Sequence, residues 1–369
     1  MRPTIAKINR SNLKFNFLNI KKKVKKAKVC AVVKADAYGH GMIECVKTLL
    51  SLDSKKPDYF AVAMLEEAME FRKAGFKEPL LVFAPVLKQE ARDYVKHNIL
   101  PTVFTEAHLS YLRETGKKNI RIHIKIDTGM GRLGVSYTDA VEFIKNVSLD
   151  RKFIIDGIYT HFATSDEYDK SYALLQLERF KGIVEELKKD NVNYGLAHCA
   201  NSGAILDMPD AYFDMVRPGI ALYGYYPSNE TTESIKLKPV MSLVTAITNI
   251  KEVDAGQSIS YGRKFIAGKK TRIATASVGY ADGYVRGLSN RAEVIIKGKK
   301  YPQVGQVCMD RIMFDIGPDG RIKENDEVIL LGKSKGSQIT AADWAKTLNT
   351  IPYEITCNIS KRVPRVYTD

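Results

Sequence analysis

The sequence predicts an α/β fold: an N-terminal TIM-type (β/α)8 barrel followed by a smaller, mainly β domain. Three observations predict it. Eight short apolar runs alternate with helical patterns up to about residue 235. From residue 236 onward the runs lengthen, alternate in polarity, and are separated by Gly and Asp-Gly turns. No G-x-G-x-x-G marks the first strand-to-helix turn, which argues against a doubly wound open sheet. The expected division is 1–235 for the barrel and 236–369 for the β domain. Within that division roughly the first 10 residues can pack with the second domain.

The eight runs are VCAVVKA (29–35), YFAVAM (59–64), PLLVFA (79–84), PTVFT (101–105), IRIHIKID (120–127), FIIDGIYTHF (153–162), YGLAHCAN (194–201) and FDMVRPGIALYG (213–224). Near-continuous apolar runs suit parallel strands covered on both faces. Between them, Leu65 to Ala74 reads as a helix closed by Gly75. Ser165 to Lys189 reads as another, with Leu174, Leu177, Phe180, Ile183 and Leu187 at helical spacing. In the second domain VMSLVTAITNIKEV, TRIATASVGYA, AEVIIKGKKYPQVGQVCM and DEVILLG read as strands. ITAADWAKTLN reads as a helix, and ITCNISKRVPRVY as a final strand.

The 369 residues suit two domains, and 45% hydrophobic with 27% charged residues is an ordinary globular balance. No run approaches the roughly 18 apolar residues of a membrane span. The segment MRPTIAKINRSNLKF has no apolar core with a cleavage site, so no secretory signal is expected. Five scattered cysteines without a CxxC pair fit a reducing cytoplasm and argue against a disulfide framework or zinc site, so no metal is expected. The net charge of +15 raises nucleic-acid binding. KKKVKKAK (21–28) instead alternates with Phe17, Leu18, Val24 and Val29 as on a helix's outer face, and no nucleic-acid motif accompanies it. A positive field also helps to capture anionic ligands.

Catalytic groups of such barrels gather where strands end. Lys34 ends the first run, followed by ADAYGHG. Burial disfavours a lysine's charged form, as a Schiff-base lysine requires, although a lysine at a strand end more often simply reaches for solvent. The small, Gly-rich turn that follows can admit a ligand close to the backbone, with the Tyr38 hydroxyl as donor. Lys125 and Asp127 end the fifth run, and Arg132 in TGMGRLG suits bidentate carboxylate recognition. His161 ends the sixth run, Asn201 and Ser202 follow the seventh, and Arg217 and Gly219 lie in the eighth. Backbone N–H groups near Ser202 and Gly219 could hold phosphate. Tyr261, Tyr280 and Met309-Asp310 stand out in the second domain, where a tyrosine's default role is packing. The residues by themselves stop short of naming a reaction.

AVVKADAYGHG, KIDTGMGRLG, YTHFATSDE, HCANSG, DMVRPGIALYG, SYGRKF, VGYADGYVR, GQVCMDR and IPYEITCNISKRVPR occur in this order along nearly the whole chain. That ordered set resembles the alanine racemase family. The resemblance implies a pyridoxal 5'-phosphate barrel with a β domain, in a head-to-tail homodimer with composite active sites. It implies that Lys34 carries the cofactor as a Schiff base. Tyr38, Asn201, Ser202, Gly219, Ile220 and Tyr353 would bind the cofactor around its phosphate, and Arg217 would face its pyridine nitrogen. Arg132 and the Met309 N–H would hold the substrate carboxylate. Tyr261 from the partner would be the base opposite Lys34, with His161 hydrogen-bonded to its hydroxyl. Lys125 aligns with the family's carbamylated lysine, which positions Arg132. Tyr280 and Asp310 match positions near the site and its entrance.

The implied activity is interconversion of L- and D-alanine by two opposed bases, in the cytoplasm, for peptidoglycan synthesis. A tyrosine is a poor base without help, and the His161–Arg217 neighbourhood is the expected source. An arginine at the pyridine nitrogen disfavours its protonation, limiting side reactions such as transamination. Two positions depart from the family pattern: Gln306 replaces a common arginine near the entrance, and Gly203 a common alanine. Gln306 leaves substrate access open, and Gly203 is expected to change little. Three alternatives stand beside this reading. A racemase for serine or another amino acid is one, although Tyr353 narrows the pocket toward alanine. A barrel-type decarboxylase is another, but the GGG loop of such enzymes is absent and Arg217 stands where they place glutamate. A single-barrel cofactor-binding protein is the third, and it would lack the second domain.

Overall fold

In the computed structural model, which describes residues 3–318 and 320–369, the chain separates into two compact units. One holds Lys14–Ala37 and Met42–Leu237; the other holds Met1–Leu13, Tyr38–Gly41 and Lys238–Asp369.

The first unit is an eight-stranded parallel barrel. Its strands are β1 (Lys28–Val32), β2 (Tyr59–Val62), β3 (Leu80–Pro85), β4 (Leu100–Val103), β5 (Ile120–Asp127), β6 (Phe153–Tyr159), β7 (Leu196–His198) and β8 (Met215–Val216). They pair in the order β8-β1-β2-β3-β4-β5-β6-β7. Backbone bonds from Asp214 N–H to Ala197 O (3.1 Å) and from Arg217 N–H to Ala200 O (2.8 Å) join the two ends of that sheet. All eight apolar runs are therefore strands. The last two are much shorter than their apolar runs, because the chain turns away to build Ser202–Asp207 and Ile220–Tyr223 as short helical segments.

β5 shows how the barrel is filled. Ile120, Ile122, Ile124 and Ile126 alternate with Arg121, His123, Lys125 and Asp127. A two-residue period puts these sets on opposite faces of the strand. All four isoleucines are buried, and so are His123 and Lys125.

The helix after β2 runs Leu65–Lys73, and Gly75 follows with φ of +89°. The long helix begins at Ser171, not Ser165, and runs to Lys189. The Asp169 carboxylate accepts from Ser171 N–H at 2.8 Å, while Ser165 is occupied by a hydrogen bond to Asn201. Leu174 belongs to its exposed outer face; Ala173, Leu177, Phe180, Ile183 and Leu187 form the buried stripe. The first helix ends at Val24, so only the start of the lysine run is helical and Val29 belongs to β1.

The second unit is a mainly antiparallel sheet around the 13-residue strand Met241–Val253. Ile5–Asn9 pairs antiparallel with that strand and parallel with Arg365–Thr368. A helix over Ala341–Leu348 opens on a capping box: Thr340 Oγ1 accepts from Asp343 N–H, and the Asp343 carboxylate accepts from Thr340 N–H. The terminal ITCNISKRVPRVY is not one strand. Pro352 at a helix N1 position starts a short helix to Cys357, and only Arg365–Thr368 is extended.

Candidate active site

Lys34 lies two residues beyond β1, not in it. Ala35, Asp36 and Ala37 follow with φ of 52°, 52° and 54° and ψ of 51°, 48° and 50°. Tyr38 has φ of 53°. These four consecutive non-glycine residues form a left-handed turn, at about 1–2 kcal/mol per residue. Three contacts hold it. Ala37 N–H donates to Val33 O at 2.9 Å, Ala35 N–H to the Glu67 carboxylate at 2.6 Å, and Met42 N–H to the Asp36 carboxylate at 2.7 Å. Glu67 also accepts from Ala63 and Met64, so one carboxylate ties the Lys34 turn to the next helix. Such a turn follows from tertiary support, not from local preference.

Lys34 borders a cavity of about 350 Å³ that Lys125, Arg132, His161 and Arg217 also line. That size falls at the small end of the roughly 300–1,000 Å³ of small-molecule sites. Among the described residues, no Asp or Glu lines it. Lys125 is buried, its Nζ has no hydrogen-bond partner among the described residues, and it lies 4.9 Å from the centre of the Tyr159 ring. Burial first, and then the Arg217 charge, push its pKa well below the usual lysine value. Arg217 is held from many sides. Its Nη1 donates to His198 O (3.0 Å) and His198 Nδ1 (2.8 Å). Its Nη2 donates to Thr160 O (2.7 Å) and Cys199 O (3.3 Å), and approaches His161 Nδ1 at 3.3 Å.

A guanidinium only donates. The His161 Nδ1 facing it must accept, which leaves the ring proton on Nε2. Burial, then the Arg217 and Lys125 charges, push the His161 pKa well below its usual value, so the ring is neutral.

Behind the cavity, Ser202 Oγ accepts from Gly219 N–H at 3.0 Å and Ala221 N–H at 3.3 Å. Asn201 caps the helix that Ser202 begins, accepting from Ala204 N–H at 3.0 Å and from Ser165 Oγ at 2.8 Å. Gly203 is not interchangeable with alanine in this chain: a Cβ there would stand 2.8 Å from Ser165 O.

The remaining sequence candidates belong to the second unit. Tyr38 and Tyr353 have ring centres 5.9 Å apart. Tyr261 begins a single turn after Ser260, whose hydroxyl donates to Gln306 O at 2.7 Å, and is 73% exposed. Tyr280 and Met309 sit on adjoining segments: Tyr280 N–H donates to Cys308 O and Ala281 N–H to Met309 O. A Cβ on Gly279 would fall 2.2 Å from Cys308 O, so only glycine lets these segments meet. Asp310 is paired with Arg362 at 2.6 Å.

Sequence reasoning missed several residues of the barrel site. Tyr159 lines the cavity, stacks on His198 with ring centres 5.0 Å apart, and lies 5.2 Å from the Arg217 guanidinium carbon. His198, His123 and Asp156 continue inward from Arg217. The signal was present in the polar residues that interrupt the apolar runs IRIHIKID and FIIDGIY.

Residues 8–227 match the family model for the alanine racemase N-terminal domain, and residues 240–367 that for the C-terminal domain. The chain belongs to the alanine racemase family. It is 46% identical to alanine racemase 2 of Caldanaerobacter subterraneus subsp. tengcongensis, covering 100% of this chain and 95% of that one. It is 44% identical to the alanine racemase of Halothermothrix orenii, over 99% and 97% of the two chains. Among solved structures, alanine racemase of Clostridium difficile 630 superposes with a TM-score of 0.92 at 40% identity, covering 100% of this chain and 96% of that one. The Bacillus anthracis alanine racemase solved with bound L-Ala-P gives 0.92 at 34% identity, over 100% and 96%. The barrel and the mainly β second domain are thus those of alanine racemases.

Proposed function

We propose that this chain is an alanine racemase, using pyridoxal 5'-phosphate to interconvert L- and D-alanine with Lys34 and Tyr261 as the two bases. The observation that carries the reading is the barrel cavity. Among the described residues, lysine, arginine and histidine side chains converge there with no carboxylate, and Lys125 is buried without a hydrogen bond. Such a donor set fits a ligand bearing a phosphate and a carboxylate. Lys34 would hold the cofactor. Arg217 would meet its ring nitrogen. The phosphate would be held by Ser202, Gly219 and Ile220 with Asn201, Tyr38 and Tyr353. Bound there, pyridoxal phosphate supplies the electron sink for the pair left when the Cα–H bond breaks.

The chain's own groups do the rest. Lys34 Nζ removes or returns the Cα proton on one face, and the phenolic oxygen of the partner's Tyr261 does so on the other, taking the proton when deprotonated and returning it as the hydroxyl. Arg132, with no hydrogen-bond or ion-pair partner among the described residues, takes the substrate carboxylate together with the Met309 N–H. Neutral His161 presents Nε2–H to the tyrosine oxygen, so it stabilises that oxygen when it has lost its proton. Lys125, enclosed and with its pKa pushed well down by burial and the Arg217 charge, is the amine that carbon dioxide would convert to a carbamate with loss of a proton; the resulting anion would fix Arg132. Tyr280 and Asp310 would line the approach with Gln306.

We read the working form as a head-to-tail homodimer, which the exposure of Tyr261 and Met309 (73% and 52%) supports. The domain scheme we propose is 1–235 and 236–369, with the N-terminal segment through Asn9 packing with the β domain. No helix among the described residues is long and apolar enough to cross a membrane. A cytoplasmic enzyme making D-alanine for peptidoglycan is the role we infer.

One purified sample tests the reading. Absorbance shows the bound cofactor, and a stereospecific assay follows L-alanine to D-alanine. Wild type should bind and racemise. A protein that binds the cofactor but leaves alanine untouched would keep its fold and lose this substrate; serine and the dibasic amino acids would then be assayed.

A further inference from the structure

The barrel interior beneath the cavity is a continuous polar column. Arg217 Nη1 meets His198 Nδ1 at 2.8 Å. His198 Nε2 meets His123 Nδ1 at 3.0 Å. His123 Nε2 meets the Asp156 carboxylate at 3.1 Å. Arg121 closes the far end on Asp156 with two contacts, Nε at 2.8 Å and Nη2 at 2.6 Å, and Tyr59 Oη donates to the same carboxylate at 3.2 Å. His123, His198 and Arg217 are all buried. A Cβ on Gly157 would stand 2.7 Å from the His123 ring, so glycine makes room for it.

The chemistry of the two ends dictates the middle. The guanidinium can only donate, so His198 Nδ1 accepts and its proton sits on Nε2. That proton goes to His123 Nδ1, which puts the His123 proton on Nε2. The carboxylate then accepts it. A second proton on either ring would set two donors against each other. The column therefore has one hydrogen-bond direction, from Arg217 to Asp156.

We propose that Asp156, His123 and His198 are positioning residues for catalysis, a one-way relay through the barrel that sets how strongly Arg217 donates to the cofactor's ring nitrogen. The inference rests on the assignment of Arg217 to that nitrogen. Hydrogen bonds in a chain polarise one another. The Asp156 carboxylate makes His123 Nδ1 the better acceptor, which in turn makes His198 Nδ1 the better acceptor. Arg217 is thereby drawn toward His198, and it becomes the weaker donor on its ligand side. A weak donor at the ring nitrogen suits a two-base reaction in which the Cα proton must be returned promptly.

The test uses the holoenzyme labelled with 15N-histidine, which gives signals from six residues, loaded with cofactor labelled at its ring nitrogen. Wild type should show His123 and His198 neutral and protonated on Nε2; Nδ1–H on either ring overturns the proposal outright. Asp156→Asn keeps the size and removes the charge. It should shift the His198 and ring-nitrogen resonances and the cofactor's visible band, and lower kcat on the order of 10-fold, as loss of an outer-shell partner commonly does, with KM for alanine little changed. His123→Leu should move the same readouts in the same sense; should it fail to fold, Asp156→Asn decides alone. A fall in melting temperature with the His198 resonance, the band and kcat all at wild-type values makes the column structural only and sinks the proposal. Arg217→Lys separates the two layers. An unmoved ring-nitrogen signal there overturns the Arg217 assignment itself, and the relay's catalytic role falls with it. A signal that moves in Arg217→Lys but stays put in both relay variants overturns the relay alone.

Discussion

The two regions that carry the proposed bases are built in opposite ways. Around Lys34 the barrel is pre-set: Arg217 is buried and makes contacts to His198, Thr160, Cys199 and His161, and a left-handed turn is clasped by Glu67. Tyr261 stands 73% exposed on a single turn after Ser260. A site whose donors are fixed before the ligand arrives loses little on reorganisation. A base on an exposed turn acquires its surroundings from whatever docks against it. The barrel half thus supplies binding and electrostatics within one chain, and in the proposed homodimer the tyrosine half depends on assembly.

The largest expected effect tests that division directly. Lys34→Ala should abolish both the cofactor's absorbance and racemisation. Tyr261→Phe should keep the absorbance and lower kcat by roughly 10²–10⁴-fold, the usual worth of a positioned acid or base. Mixing the two inactive variants should restore activity if each site takes Lys34 from one subunit and Tyr261 from another. No recovery after subunit exchange would break the composite-site reading.

Arg217→Met comes next, because it strikes the pre-set half. Removing the donor strands buried acceptors on Thr160, His198 and Cys199, each costing about 1–3 kcal/mol. Chemical denaturation of the variant should therefore show a loss of several kcal/mol, while Tyr261→Phe should change stability by less than about 0.5 kcal/mol, as exposed positions do. Arg217→Glu, where it folds, should raise transamination against turnover; unchanged leakage would count against the proposed role of the arginine.

The barrel's histidines predict a pH dependence. Burial lowers the pKa of His123, His161 and His198, with Arg217 adding to it for all three and Asp156 opposing it only in part at His123. The unfolded rings titrate near 6.5. As pH falls below that value the unfolded state takes up protons that the folded state refuses, so stability declines by up to about 1.4 kcal/mol per pH unit for each ring. Asp156 adds to the loss at lower pH. Burial would raise its pKa, but the hydrogen bond from His123 and the Arg121 pair outweigh that and hold it at about 2. Its contribution is present above the ordinary 3.8 and is lost as pH falls toward 2. Denaturant midpoints measured from pH 8 to 5 should fall, and His123→Leu should flatten the slope.

The smallest effect concerns the left-handed turn. Ala35 is exposed with φ of 52°. Ala35→Gly relieves about 1–2 kcal/mol of backbone strain and adds back up to about 1 kcal/mol of chain entropy in the unfolded state. A net gain of under about 1 kcal/mol in the melting equilibrium is expected. A loss would mean that the Ala35 methyl group has a packing role.

Much of this was legible in the chain. Apolar runs 29–35 through 153–162 became strands because parallel strands covered on both faces need such runs. Lys34, Lys125, Arg132, His161 and Arg217 converge because each follows or ends a barrel strand, and a barrel brings those ends to one mouth. The helix at Leu65 and its Gly75 stop followed from spacing and from glycine's freedom at positive φ.

What local pattern could not decide was settled by contacts distant in sequence. The segment before the long helix is held out of it at Ser165, whose hydroxyl donates to Asn201, and the helix starts at Ser171. The stretch after Pro352 helps form a helix before it becomes a strand. Four left-handed residues after Lys34 run against the local preference of Ala and Tyr, and they persist because Glu67, from the next helix, holds them together with the local Asp36–Met42 bond. The histidines of β5 and β7 read as interruptions of apolar runs. Only the closed barrel stacks them between Arg217 and Asp156, because register between strands, and not order along the chain, decides which polar side chains meet in its interior.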